Sequence, residues 1–141
     1  MQEKIIYTLT KENLSGLPIS PKKGERIFLR GDLGSGKTTL SRHIISSLLG
    51  TQTPVKSPTY IYYNRYGENI YHFDLYRLQS YDDFVNIGGE EILDNLENIC
   101  LIEWPELLAE RYEPTIDIEI LKTEKEDERK LGIALFHSRL S

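Results

Sequence analysis

The segment Gly31-Asp32-Leu33-Gly34-Ser35-Gly36-Lys37-Thr38 constrains this chain more than any other. It matches the pattern G-x-x-x-x-G-K-[ST] at every fixed position. Glycines let the backbone curl until successive N–H groups point inward, which makes a concave nest for an anion. A helix directly after the loop adds the positive end of its dipole. Lys37 then reaches the β- and γ-phosphates of a nucleotide, and the Thr38 hydroxyl sits on Mg²⁺. Asp32, Leu33, Gly34, Ser35, Gly36, Lys37, Thr38 and Thr39 are therefore the candidate nucleotide contacts.

Such a loop works only between a strand and a helix, and the flanking sequence supplies both. Arg26-Ile27-Phe28-Leu29-Arg30 is rich in β-formers and follows turn signals at Pro21 and Gly24. From Thr38 to Leu49, Leu40, Ile44 and Leu48 recur every four residues, with Ile45 and Leu49 beside them. That spacing predicts a helix with one apolar face, stopped by Gly50.

The remaining chain divides into short elements. Lys4 to Thr8 reads as a first strand and Thr10 to Leu17 as a short helix or turn. Thr51 to Pro58 reads as a loop, with two prolines and several hydroxyls. Tyr60 to Tyr66 and Asn69 to Leu75 predict a hairpin about Gly67-Glu68. Ser80 to Leu96 predicts one or two short helices broken at Gly88-Gly89, and Ile99 to Ile102 a strand buried on both faces. Thr115 to Leu121 and Leu131 to Phe136 complete the strands. Between them, eight of the nine residues Lys122 to Lys130 are charged, four of each sign, which reads as a solvated hairpin loop. The sum is an α/β chain: a P-loop NTPase-type sheet, mostly parallel at its centre with antiparallel hairpin strands, flanked by short helices. With 141 residues, a single domain over 1–141 is expected.

Composition limits the partners. A net charge of −5 gives no basic face for gripping nucleic acid. No apolar run is long enough to span a membrane. The N-terminus lacks a signal-peptide pattern, and Cys100, the only cysteine, permits no intrachain disulfide. A reduced, cytoplasmic protein without a membrane partner is the expectation.

A nucleotide site of this kind needs a second acid on the metal side. Ile99-Cys100-Leu101-Ile102-Glu103 supplies one at the end of a buried strand. Neighbouring parallel strands share their C-terminal edge, so Glu103 would emerge beside Thr38 as a hard oxygen ligand for Mg²⁺. Trp104 either caps the core or helps shape the site or a partner surface, and Pro105 is placed to open a helix. Thr59, in Ser57-Pro58-Thr59, is a candidate sensor of the γ-phosphate. In His72-Phe73-Asp74-Leu75-Tyr76-Arg77-Leu78, Phe73 and Leu75 share one strand face, while His72, Asp74 and Tyr76 share the other. Asp74 is a candidate to orient the attacking water or hold the metal shell, and Arg77 to stabilise phosphate charge. A structural salt bridge between the two is the alternative. His72 reads as a packed or hydrogen-bonded histidine. Arg129 could reach a bound nucleotide from the charged hairpin. Seven of the nine tyrosines fall between Tyr60 and Tyr81, and ordinary strand packing or protein contact accounts for them better than base stacking does.

Four segments together are similar to one family: Gly31 to Leu40, Val55 to Tyr60, His72 to Leu78 and Ile102 to Glu106 resemble the TsaE (YjeE) family of small bacterial P-loop ATPases. The resemblance covers about residues 5 to 136. It implies ATP and Mg²⁺ as cofactors, with the metal held by Thr38 and Glu103, and roles in activity for Lys37, Asp74 and Trp104. It implies slow ATP hydrolysis in support of the threonylcarbamoyl-adenosine modification of tRNA. TsaD-like and TsaB-like subunits would be the partners, and tRNA would be met only through their complex. It places nucleotide-base contacts near Thr8 to Thr10. Two departures stand out: a short region from Thr10 to Pro18, and Gly88-Gly89-Glu90 where one glycine is usual.

Two other readings remain. One is a nucleotide-gated binding module with little catalysis of its own. The other is a small-substrate kinase, although no arginine-rich lid is visible. A GTPase is disfavoured, because N-K-x-D is absent and no aspartate begins a D-x-x-G.

Overall fold

The computed structural model describes residues 2–50 and 62–136. Seven strands form one sheet: β1 (Gln2–Leu9), β2 (Arg26–Arg30), β3 (Tyr63–Tyr66), β4 (Ile70–Asp74), β5 (Ile99–Glu103), β6 (Ile116–Lys122) and β7 (Arg129–Phe136). Their spatial order is β1-β7-β6-β2-β5-β4-β3. The four central strands, β6, β2, β5 and β4, run parallel. Both edges are antiparallel, through the β3–β4 hairpin on one side and β6–β7–β1 on the other. The expected architecture, a mostly parallel centre with antiparallel hairpins, is the one observed.

Burial explains the arrangement. Every residue of β5 is buried, as a strand covered on both faces requires. One face carries Ile27, Leu29, Leu101, Ile118, Ile120, Leu131 and Ile133. Helix α1 (Lys37–Leu49) lays Leu40, Ile44 and Ile45 onto that face. Ile44, at 2% exposure, shows that the four-residue spacing marked the buried stripe. Gly50, with φ 72°, closes the helix in the left-handed conformation that favours glycine.

The opposite face packs Phe28, Phe73, Cys100 and Ile102 beneath α2 (Tyr81–Asn86), α3 (Gly89–Asp94) and a 3-10 turn over Pro105–Leu108. Ser80 caps α2 by accepting from the Asp83 amide, and Pro105 opens the 3-10 turn. The chain breaks between α2 and α3 at Gly88, where φ is 85°. Cys100 is buried and its thiol is pushed up to about 12 by desolvation, so it behaves as a core residue. Tyr63 packs its ring on Tyr71 and Phe73, and Tyr81 packs on Phe84, so these tyrosines fill the core edge. Between β1 and β2, the Thr10 to Leu17 stretch forms only a three-residue 3-10 turn, Leu14–Gly16. Among the described residues, no helix is long and apolar enough to cross a membrane.

Candidate functional site

The site grows from the C-terminal end of β2. Gly31 leaves the strand so close to β6 that an added Cβ would stand 2.6 Å from Ser35 Oγ and 2.8 Å from the Ile120 carbonyl oxygen. Only glycine fits there. Gly34 and Gly36 take φ values of 76° and 108°, left-handed conformations that turn the loop into the helix. The Ser35 amide donates to the Asp32 carbonyl at 3.0 Å, which closes the turn. Gly36 caps α1 without any side-chain acceptor. The first amides of this 13-residue helix therefore have no side-chain cap and face the loop cavity with their dipole. Asp32, Leu33 and Gly34 lie exposed on the outer rim, Ser35 is buried, and Thr39 is exposed on the first turn.

Lys37 is 5% exposed. Its Nζ donates to the Gly31 carbonyl at 2.5 Å and to the Asp32 carbonyl at 2.9 Å, and lies 4.0 Å from the centre of the Trp104 ring. Burial pushes its pKa down, opposed by the charges of Glu103, Asp74 and Asp32. The amine thus sits beneath the nest on carbonyls that an incoming phosphate can replace.

Glu103 ends β5, which is parallel to β2 and adjacent to it, so the two C-terminal ends meet as the strand order requires. The Thr38 Oγ1 hydroxyl stands 3.1 Å from each Glu103 carboxylate oxygen. Glu103 is 2% exposed. His72, on β4, is fully buried and brings Nε2 to hydrogen-bond distance, 2.5 Å, from Glu103 Oε2. Asp74 is the register partner of Glu103 across β4 and β5. Its carboxyl is held above the usual carboxylate range, first by burial and then by the charge of Glu103. Its Oδ1 accepts from the Tyr76 amide at 3.1 Å.

Trp104 has φ 58° and ψ 59°, a left-handed conformation rare for a bulky residue. That geometry holds its ring between Lys37 and Tyr76, whose ring centroid is 4.7 Å away. Of its two sequence readings, the structure places Trp104 at the site; it belongs to neither core cluster. Arg77 is exposed and forms no ion pair with Asp74 among the described residues. Thr59 and the rest of Ser57-Pro58-Thr59 lie outside the described residues.

A cavity of about 200 Å³ adjoins the loop and the first turn of α1. Its apolar wall includes Leu9, Leu14, Leu40 and Ile120, and Thr10, Ser35, Gly36 and Thr39 connect it to the loop. Arg129 also borders it, with Nε donating to the Ser35 carbonyl at 2.8 Å. Lys122, on β6, donates to the Leu33 carbonyl at 3.2 Å. The sequence offered Arg129 as a reach to a bound nucleotide and gave no sign of its bond to the loop, nor of that of Lys122, which the neutral charge run disguised as solvated surface.

The donor set suits a magnesium nucleotide. A hydroxyl and a carboxylate converge at 3.1 Å beside uncapped helix amides, and both are hard oxygen donors. Thr38 and Glu103 could hold such a metal, and the loop amides with Lys37 could hold the phosphates.

Comparison with known proteins gives the family. The family model described as "TsaE: Threonylcarbamoyl adenosine biosynthesis protein TsaE" matches residues 5–131. The chain is 45% identical over 93 residues to the tRNA threonylcarbamoyladenosine biosynthesis protein TsaE of Haemophilus influenzae, covering 64% of this chain and 58% of that one. It is 38% identical over 128 residues to the protein of the same name from Rickettsia bellii, covering 88% and 87% of the two chains. Its Bacillus subtilis counterpart is 32% identical over 121 residues, with 84% and 74% covered. Among solved structures, the crystal structure of Bacillus subtilis YdiB superposes with a TM-score of 0.65 over 99% of this chain and 90% of the other, at 23% identity, a likeness of fold. The chain belongs to the TsaE family of threonylcarbamoyl adenosine biosynthesis proteins.

Proposed function

We propose that this protein binds ATP with Mg²⁺ and hydrolyses it slowly, in support of the threonylcarbamoyl-adenosine modification of tRNA. The observation that carries this reading is the meeting of the Thr38 hydroxyl with both oxygens of the buried Glu103 carboxylate, beside an uncapped helix start. A bound Mg²⁺ would neutralise charge on the terminal phosphates and fix their orientation. Lys37 would leave the Gly31 and Asp32 carbonyls to meet those phosphates. His72 keeps the Glu103 carboxylate turned towards Thr38. Asp74, held in the same row of the sheet, is placed to accept or orient a water. The cavity between Leu9 and Leu40 receives the adenine, with Thr10 at its edge, near the base contacts that the family resemblance implies.

The acidic balance of the chain supports the remainder of the reading, in which the protein acts on TsaD-like and TsaB-like subunits in the cytoplasm and reaches tRNA only through them. Single-turnover cleavage of ATP, with and without those subunits, tests it. The expected result is stimulation by the subunits and loss of cleavage in Glu103→Ala by about a hundredfold or more. Cleavage that neither responds to the subunits nor falls in Glu103→Ala would instead leave a nucleotide-gated binding module.

A further inference from the structure

Cations engage the backbone carbonyls of the phosphate loop from Gly31 to Ser35. Lys37 takes the carbonyls of Gly31 and Asp32. Lys122 takes that of Leu33 at 3.2 Å. Arg129 takes those of Gly34 and Ser35, at 3.5 Å through Nη2 and 2.8 Å through Nε. Five successive carbonyls thus face three positive groups, two of them from the β6–β7 hairpin. The same guanidinium ties the hairpin to itself, its Nη1 donating to the carbonyls of Glu126 at 2.9 Å and Glu128 at 2.8 Å.

The placement of the two hairpin cations is itself informative. Lys122 and Arg129 are direct register partners across β6 and β7. Like charges opposed in this way repel and weaken a hairpin. No ion pair reaches either one among the described residues, although the adjoining loop is rich in acids. What receives them is the row of loop carbonyls. In a trans peptide the N–H points away from the C=O, so pulling the carbonyls of Leu33 and Ser35 outward turns the amides of Gly34 and Gly36 inward. A hydrogen bond to the carbonyl also polarises the same peptide's N–H, which strengthens it as a donor to an anion.

The geometry points to Lys122 and Arg129 as positioning residues: a cationic brace on the β6–β7 hairpin that holds the phosphate loop in its binding shape. The brace rests on the reading that this loop binds a nucleotide's phosphates. It assigns Arg129 to the loop backbone and gives the charged hairpin a task beyond solvation.

Competition against a fluorescent ADP analogue, with ADP and inorganic tripolyphosphate as separate probes, tests the brace. Tripolyphosphate has neither base nor ribose and reports the loop alone. Arg129→Gln should weaken both probes by the same factor, about tenfold, since it removes charge-assisted hydrogen bonds. Arg129→Lys should recover part of the loss, and Lys122→Gln should weaken both by about threefold, in keeping with one exposed bond. Weakening of ADP alone would make Arg129 a contact to the nucleoside and overturn the brace, as would no weakening of either probe. If Arg129→Gln fails to fold, the exposed Lys122→Gln carries the same test. Lys37→Ala separates the two levels of the argument. If it leaves tripolyphosphate affinity unchanged, or if the wild-type protein binds neither probe, the phosphate reading falls and the brace with it. If Lys37→Ala weakens binding while both hairpin variants do not, only the brace falls.

Discussion

Glu103 is the residue on which the site turns. It is buried, accepts from Thr38 on one side, lies at hydrogen-bond distance from His72 on the other, and stands in register with Asp74. A carboxylate removed from water to this extent costs stability unless its lone pairs are occupied. Thr38→Ala removes one of its donors and, on the proposed function, one oxygen ligand for Mg²⁺. The expected outcome is about a tenfold rise in the Mg²⁺ needed for half-maximal ATP cleavage, with metal-free ADP affinity changed far less. A magnesium titration of both proteins measures this. Asp74 makes a prediction about pH. Its folded-state pKa is raised above 3.8 by burial, so the folded protein holds the proton more tightly than the unfolded chain does. Stability is therefore lost as pH rises from 3.8 through the raised value. In the nucleotide-free protein, Asp74→Asn should have the higher Tm at pH 7, and the gap should close as pH falls towards 3.8. Thermal melts across that range check the sign, and the same variant should lose ATP cleavage. At this scale the sequence was most legible where geometry dictates residue type, as at Gly31, Lys37 and Thr38. It was least legible at Lys122, because a lysine in a mixed charge run has no pattern that marks its acceptor as a backbone carbonyl.

Among the elements, the strand–loop–helix unit and the buried β5 could be read from hydrophobic spacing alone, since each must hide one or both faces. The paired short helices were foreseen only as one or two, and the structure gives the reason for the break. Gly88 turns left-handed, and Gly89 packs against the fully buried Phe84, where an added Cβ would lie 2.4 Å from the ring. Both glycines are therefore required, one by conformation and one by space. Gly89→Ala should destabilise the protein by about 1–3 kcal/mol through overpacking, because the displaced neighbour is a rigid ring in the core. A urea melt reads this as a lower midpoint with an unchanged slope. The β6–β7 hairpin was also foreseen, but its partnership with the phosphate loop was not. Pairing of β7 with β1 carries Arg129 alongside Leu9, and that long-range register has no local signature.

At the scale of the whole molecule, four parallel strands bring the ends of β2, β5 and β4 to one edge, and Asp74, Glu103, Lys37 and Thr38 are carried on those strand ends or on the loop and helix that follow β2. The antiparallel edge closes the other side and supplies both the wall of the cavity and the cations on the loop. Family membership rests on the family model and the relatives, while Lys37, His72, Asp74 and Glu103, far apart in sequence, converge at this edge. The central claim is that this edge grips a magnesium nucleotide by its phosphates. Isothermal titration calorimetry of Mg·ATP into the wild-type protein and into folded Lys37→Ala tests it most directly. The account expects saturable binding near one nucleotide per chain in the wild type and its loss in Lys37→Ala with little change in Tm; no heat from the folded wild type, or equal affinity in the two, would contradict it.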